Sequence, residues 1–334
     1  MSITAPSSLV DSFGRQIDYL RLSVTDRCDF RCTYCMAEDM TFLPRKEVLS
    51  IEELSRVAQI FVALGVAKIR ITGGEPLIRR GLDQLLTTLG TMPGLRERAL
   101  TTNGSLLKQK AQALRDTGVN SVNISLDTLD ASKFRLLTRT GNLATVLAGI
   151  DAAIAAGFER IRLNAVILRG QNDDDVLALA NFAVDKGIDI AFIEEMPLGQ
   201  VNAAGKPLEF VTSSEISACL GSRYHLTPLA SDSRAGPARY WRLGNTSSRL
   251  GLISPHSNNF CSSCNRLRVT AEGRLLLCLG NEHSINLRDH LRQGDSDDVI
   301  AERIRRALNS KPERHVFDQP DEPQILRFMN ASGG

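Results

Sequence analysis

The sequence predicts an α/β fold: an incomplete (βα)6 barrel of the TIM type followed by a smaller C-terminal region. Two observations carry this. Short β-branched or apolar strands alternate with amphipathic helices over the first two-thirds of the 334 residues, which calls for βαβ units and a parallel sheet. After about Pro197 the rhythm breaks, and sequence rich in Gly, Ser, Ala and Pro takes over. The boundary is therefore expected between 1–197 and 198–334. Six repeats fall short of the eight that close the usual barrel.

In chain order, strands are expected at 18–24, 67–72, 98–102, 121–126, 160–167 and 189–195, with Leu20, Leu22 and Val24 on one face of the first. Between them, apolar residues recur at helical spacing over 51–64, 82–89, 105–117, 143–156 and 174–186. Gly65, Gly118, Gly157 and Gly187 stand where helices stop ahead of the next strand. In the C-terminal region we expect a helix at 214–220 and short strands at 239–242 and 250–253. A hairpin of 266–270 with 273–279 and helices at 286–291 and 297–310 complete the chain.

Lysine plus arginine number 40 against 38 acidic residues, a net charge of +2, so the chain is no general polyanion binder and no nucleic acid partner is expected. Any anion site must come from a few placed arginines. No apolar run is long enough to cross a bilayer, and the N-terminus lacks the basic and apolar blocks of a signal peptide. The expectation is a cytoplasmic protein without a membrane partner. Six of the seven cysteines form two trios, Cys28, Cys32, Cys35 and Cys261, Cys264, Cys278; only Cys219 stands alone, and it reads as a buried small hydrophobe. In a reducing compartment such clusters point to metal or redox chemistry. Three thiolates leave one coordination position open for a reactant.

The first trio, Cys28-Asp-Phe-Arg-Cys32-Thr-Tyr-Cys35, follows the first expected strand, which puts it on a loop at the C-terminal end of a barrel strand, where barrel enzymes work. By itself this spacing also reads as a zinc knuckle. Thr72-Gly73-Gly74-Glu75-Pro76 ends the second strand, and glycine there lets backbone approach a ligand that a Cβ would keep away. The C-x3-C-x2-C loop followed by this turn resembles the radical S-adenosylmethionine (SAM) superfamily. That resemblance implies a radical-SAM-type barrel whose three cysteines hold a 4Fe–4S cluster. SAM chelates the open iron and is cleaved to methionine and a 5′-deoxyadenosyl radical. It further implies SAM contacts from Tyr34, Gly74, Ser125 and Met196.

The second trio has the form C-x2-C-x13-C. Zinc with His256 or His283 as a fourth ligand is one reading. Cys264-Asn-Arg266-Leu-Arg268 also puts two arginines on one strand face beside the metal, and arginine suits forked recognition of phosphate. The resemblance then extends along nearly the whole chain to one family in that superfamily, the GTP 3′,8-cyclases of molybdenum cofactor biosynthesis. It runs through Leu20-Arg21-Leu-Ser-Val-Thr-Asp26, Arg70-Ile-Thr-Gly-Gly-Glu-Pro, Thr101-Thr-Asn-Gly104, Phe192-Ile-Glu-Glu-Met196 and the final Gly333-Gly334.

The family resemblance implies a second 4Fe–4S cluster on Cys261, Cys264 and Cys278 whose open iron binds the guanine of GTP. It implies GTP contacts from Arg21, Arg70, Thr101, Arg162, Arg266 and Arg268, with Arg162 standing where the family typically has lysine. It implies a lyase that abstracts hydrogen from ribose C3′, joins C3′ to guanine C8 and releases (8S)-3′,8-cyclo-7,8-dihydroguanosine 5′-triphosphate. Its partners would be an electron donor and, by product hand-off, a cyclic pyranopterin monophosphate synthase, with the chain a monomer or homodimer. The Gly333-Gly334 tail would enter the active site; on composition it reads as a frayed end. Two other functions are weighed beside this one. A peptide- or protein-modifying radical SAM enzyme generally has more C-terminal cysteines, and a non-catalytic zinc- or cluster-binding scaffold would not need two open trios.

Overall fold

The computed structural model describes residues 8–199, 210–230, 236–317, 325 and 327–333. A hairpin of β1 (Leu9–Val10) and β2 (Gln16–Ile17) leads into the barrel. The barrel strands are β3 (Tyr19–Ser23), β4 (Lys68–Thr72), β5 (Glu97–Thr102), β6 (Ser121–Ser125), β7 (Arg160–Ile167) and β8 (Asp189–Glu194), each parallel to its neighbour. Over their outer face lie α1 (Ile51–Ala63), α2 (Leu82–Gly90), α3 (Leu107–Asp116), α4 (Ala131–Thr138), α5 (Leu143–Ala155) and α6 (Val176–Asp185).

Local sequence explains these elements. Ser50 and Glu53 cap α1 reciprocally, and Leu54, Val57, Ala58 and Phe61 bury one face against the sheet. The strands alternate: Leu20, Leu22, Ile69 and Ile71 are fully buried under the helices, whereas Tyr19, Arg21, Lys68 and Arg70 point into the barrel. The sequence reading did not anticipate α4. Asp130 starts it by accepting from the Ser132 and Lys133 amides at 2.8 Å. Its last carbonyls, Leu137 and Thr138, accept from Thr33 and Arg31, so α4 braces the first cysteine loop.

The C-terminal region follows with α7 (Ser213–Gly221), β9 (Leu226–Pro228), β10 (Arg239–Leu243), β11 (Arg249–Ile253), β12 (Arg266–Val269), β13 (Arg274–Leu276), β14 (Ser284–Asn286), α8 (Leu287–Gln293), α9 (Asp297–Leu308) and α10 (Met329–Ser332). It shares the barrel's sheet. β11 runs parallel to β8 at one edge and β12 parallel to β3 at the other. The described sheet has twelve strands in the order β14-β13-β12-β3-β4-β5-β6-β7-β8-β11-β10-β9. Both edges left open by the six-strand barrel are thus covered by the chain's own C-terminal strands. Among the described residues no helix is long and apolar enough to cross a membrane.

Candidate active site

The interior of the barrel is one large cavity lined by all six clustered cysteines. Its walls also include Tyr34, Gly74, Ser125 and Met196 and the polar side chains of Arg21, Arg70, Thr101, Arg162, Arg266 and Arg268. Cysteines as far as 250 positions apart in sequence, Cys28 and Cys278, therefore face the same space.

The first trio is held from several sides. Cys28 Sγ accepts from the Phe30 amide at 3.4 Å and faces the Asn103 side-chain amide at 3.8 Å. Asn103 also donates to Asp29 at 2.7 Å. The Gly-Gly turn packs against the approach to this loop, with the Gly74 and Glu75 amides donating to the carbonyls of Thr25 and Arg27. A Cβ on Gly74 would lie 2.2 Å from Arg27 O, and one on Gly73 would lie 2.5 Å from Thr25 O. The glycines are needed here for loop-on-loop packing, a different reason from the ligand approach expected from the sequence. Glu75 is fully buried and accepts from the Leu77 and Asn103 amides and the Thr102 hydroxyl. Burial still pushes its carboxyl up to about 7 against the lowering effect of those bonds.

Tyr34 donates its hydroxyl to Asp127 at 2.7 Å, and Asp127 also accepts from the Val166 amide. Burial pushes Asp127 up to about 6 and Cys35 up to about 12, and it raises Cys28 and Cys32 as well. As bare thiols these cysteines resist ionisation; a bound cation must supply the compensation.

The opposite end is cationic by register. Arg268 of β12 pairs with Arg21 of β3, and Arg21 pairs with Arg70 of β4, so three guanidiniums lie in one row across neighbouring strands. The row below it holds Arg266, Tyr19, Lys68 and Glu97. Desolvation pushes Arg21 down to about 10 and Arg268 well down, and neighbouring arginines add to it. Tyr19 shows the same field from the other side. Burial raises its phenol, but Arg70, Arg21, Lys68 and Arg266 outweigh burial and hold it at about 6. Arg70 donates to Tyr19 at 2.8 Å and approaches Thr101 Oγ1 at 3.5 Å. Arg162 is buried and bonded to Asn164 and the Tyr240 hydroxyl. Cations stacked this closely call for an anion.

In the second trio, burial raises Cys261 and Cys278. For Cys264 burial also raises, but Arg266 and Lys311 outweigh it and bring the thiol to about 7. Neither histidine weighed for a zinc site lines the cavity. His256 bonds Glu195 O and stacks on Phe210, and His283 is exposed; the histidine that lines the cavity is His315.

The described tail runs between the two ends. The Met329 amide donates to Cys35 O at 3.2 Å, and Gly333 O accepts from Arg268 at 2.7 Å and from Arg21 at 3.2 Å. Gly333 sits at φ +76°, and a Cβ there would meet Thr72 at 2.8 Å. The tail is packed rather than frayed as far as Gly333; Gly334 lies outside the described residues.

All seven cysteines are free, and among the described residues no three thiol, imidazole or carboxylate groups converge on a single-ion position. The donor set fits two clusters in other respects: six free thiols face one cavity, and N–H groups are directed at Cys28 and Cys264 sulfur.

Comparison with known proteins bears on the same residues. Residues 22–183 match the radical SAM superfamily model, and residues 188–317 match the model described as Molybdenum Cofactor Synthesis C. A GTP 3′,8-cyclase of Pseudomonas entomophila strain L48 is 57% identical over 98% of this chain and 99% of its own length. The chain belongs to the GTP 3′,8-cyclase family. Another cyclase, from Marinobacter nauticus, is 57% identical over 98% of both chains. Among solved structures, SuiB of Streptococcus suis bound to its precursor peptide SuiA has a TM-score of 0.61 at 17% identity, covering 94% of this chain and 76% of that one. That likeness is one of fold and accords with a radical-SAM-type barrel. Membership in the cyclase family brings SAM and 4Fe–4S clusters as its cofactors.

Sequence reasoning missed Tyr19, Lys68, Glu97, Asn103, Asp127, Tyr240 and Lys311 as parts of the site. A signal existed for some: Tyr19, Lys68 and Arg70 alternate with fully buried aliphatics, so a charged inner face was readable before any register was known.

Proposed function

We propose that this chain converts GTP to (8S)-3′,8-cyclo-7,8-dihydroguanosine 5′-triphosphate, the first step of molybdenum cofactor biosynthesis, as a SAM-consuming lyase. The observation that carries the reading is the row Arg268, Arg21, Arg70 set across one cavity from the Cys28–Cys35 loop. That row suits a triphosphate in a chain whose overall net charge is only +2.

In this reading Cys28, Cys32 and Cys35 hold one 4Fe–4S cluster and Cys261, Cys264 and Cys278 hold the other. When bound, the cluster on Cys28, Cys32 and Cys35 would supply one-electron reducing chemistry toward SAM, and the cluster on Cys261, Cys264 and Cys278 would supply iron coordination to guanine. Tyr34, Gly74, Ser125 and Met196 line the SAM end. Arg21, Arg70, Thr101, Arg162, Arg266 and Arg268 bind and orient GTP so that ribose C3′ faces the SAM end. Enclosure by barrel and tail keeps water from a carbon radical. Gly333 holds the Arg21 and Arg268 forks through its carbonyl, and with Gly334 the tail shapes the space between the ends. Residues 1–197 thus generate the radical and residues 198–334 complete the substrate end.

The enzyme works in the cytoplasm as a monomer or homodimer, takes electrons from a one-electron donor and passes its product to a cyclic pyranopterin monophosphate synthase. Anaerobic incubation of reconstituted protein with SAM, reductant and single nucleotides tests the reading. Cyclised product from GTP alone is expected; turnover of a peptide and none of GTP would overturn it.

A further inference from the structure

The side chain of Lys311 lies just after α9, only 3% exposed, and points at the second cysteine trio. Its ammonium donates to Leu277 O and to Arg266 O at 3.2 Å, and stands 3.7 Å from Cys264 Sγ. Leu277 precedes Cys278, and Arg266 follows Cys264 by two residues, so one side chain ties both ligand-bearing segments together. Among its described contacts none is a carboxylate. A lysine this buried is costly to charge without an anionic partner, and the cysteine sulfur is the group placed to serve. Two carbonyls alone could be satisfied by a neutral donor; a full positive charge is needed only against negative charge.

A second buried cation fixes the segment that carries Lys311. Arg15, on the hairpin before the barrel, is paired with Asp11 at 2.6 Å. Its guanidinium also donates to Cys261 O at 2.8 Å, Pro312 O at 2.8 Å and Glu313 O at 2.7 Å. The residues next to Lys311 are thereby bolted to the third ligand's backbone, which gives the lysine one position relative to the trio.

We propose that Lys311 is a positioning residue for the second cluster, which it holds in one geometry and stabilises in its reduced, more negative state. This rests on the reading that Cys261, Cys264 and Cys278 bind a 4Fe–4S cluster. A fixed cation beside a ligand sulfur favours added electron density through a short, poorly screened path.

The test uses anaerobically reconstituted holoprotein and potentiometric titration followed by electron paramagnetic resonance, with iron counted per chain. Lys311→Gln keeps a donor and removes the charge; Lys311→Arg keeps the charge. Lys311→Gln is expected to lower the reduction equilibrium of the second cluster at least tenfold, about 59 mV for one electron. The first cluster should stay where it is, and Lys311→Arg should recover most of the shift. Loss of second-site iron in Lys311→Gln but not in Lys311→Arg would also bear the proposal out. An unchanged second potential in Lys311→Gln, or equal damage in both variants, would overturn it. Wild-type protein with iron for one cluster only would instead refute the two-cluster reading itself.

Discussion

The two ends of the cavity present the same donors, three cysteines each, in opposite electrostatic surroundings. At the Cys28–Cys35 end Arg31 donates to Cys28 O at 2.6 Å, but the charges that act on the thiols are negative: after burial, Glu75, Asp29 and Cys35 raise Cys28, and Cys35, Asp127 and Cys28 raise Cys32. At the Cys261–Cys278 end the neighbours are Arg266 and Lys311, which bring Cys264 to about 7 in spite of burial. Negative surroundings disfavour an added electron, and a cluster placed there is the stronger reductant. Positive surroundings favour an anionic ligand. In the proposed function, one donor set would thus serve two tasks through its neighbours: reducing a sulfonium at one end and holding a nucleotide at the other.

The largest expected effect separates the ends outright. Cys28→Ala, Cys32→Ala or Cys35→Ala should abolish 5′-deoxyadenosine formation while iron at the second site persists. Retained SAM cleavage in any of them would break the assignment of the radical-generating end. Cys264→Ala should leave SAM binding and the first cluster in place and lose GTP turnover. In wild-type protein, GTP should perturb the resonance of the second cluster alone; a spectrum indifferent to GTP would make that cluster structural.

Smaller effects sharpen the division. Removing Gly333 and Gly334 takes away the carbonyl that joins Arg21 to Arg268. Iron content and GTP affinity should stay near normal while cyclised product falls steeply, measured as product per mole of enzyme. Full activity in the truncated protein would restore the frayed-tail reading. Arg266→Ala and Arg268→Ala should each weaken GTP binding by about 1.5–3 kcal/mol and leave SAM affinity unchanged, read by calorimetry. An equal loss of SAM affinity would place the nucleotide wrongly. Arg162→Lys should cost least, about 1 kcal/mol or less in GTP affinity, because the charge stays and only the fork that reaches Tyr240 and Asn164 is lost. A loss as large as that of Arg268→Ala would make Arg162 a principal contact.

What the sequence disclosed follows from range. The six barrel strands and the cysteine trios were legible because strand alternation and ligand spacing are local patterns. Residues 266 and 268 were readable as one face, but their alignment with Arg21 and Arg70 depends on β12 pairing with β3, across some 245 residues that carry no local trace of it (Arg21 to Arg266). The same holds for β11 on β8; the two pairings together turn an expected looser C-terminal region into both margins of one sheet. α4 escaped notice because it is only eight residues long, too short for the spacing of its buried Phe134 and Leu137 to repeat, and Leu136 beside them is exposed. Lys311 carried no motif at all; only the fold brings it to Cys264.

The division of labour between the ends is tested most directly by following one atom. Incubated anaerobically with SAM, reductant and GTP deuterated at ribose C3′, the protein should place deuterium in 5′-deoxyadenosine in step with cyclised product. Unlabelled 5′-deoxyadenosine, formed while that GTP is consumed, would contradict a radical made at the Cys28–Cys35 end acting on a nucleotide held at the other.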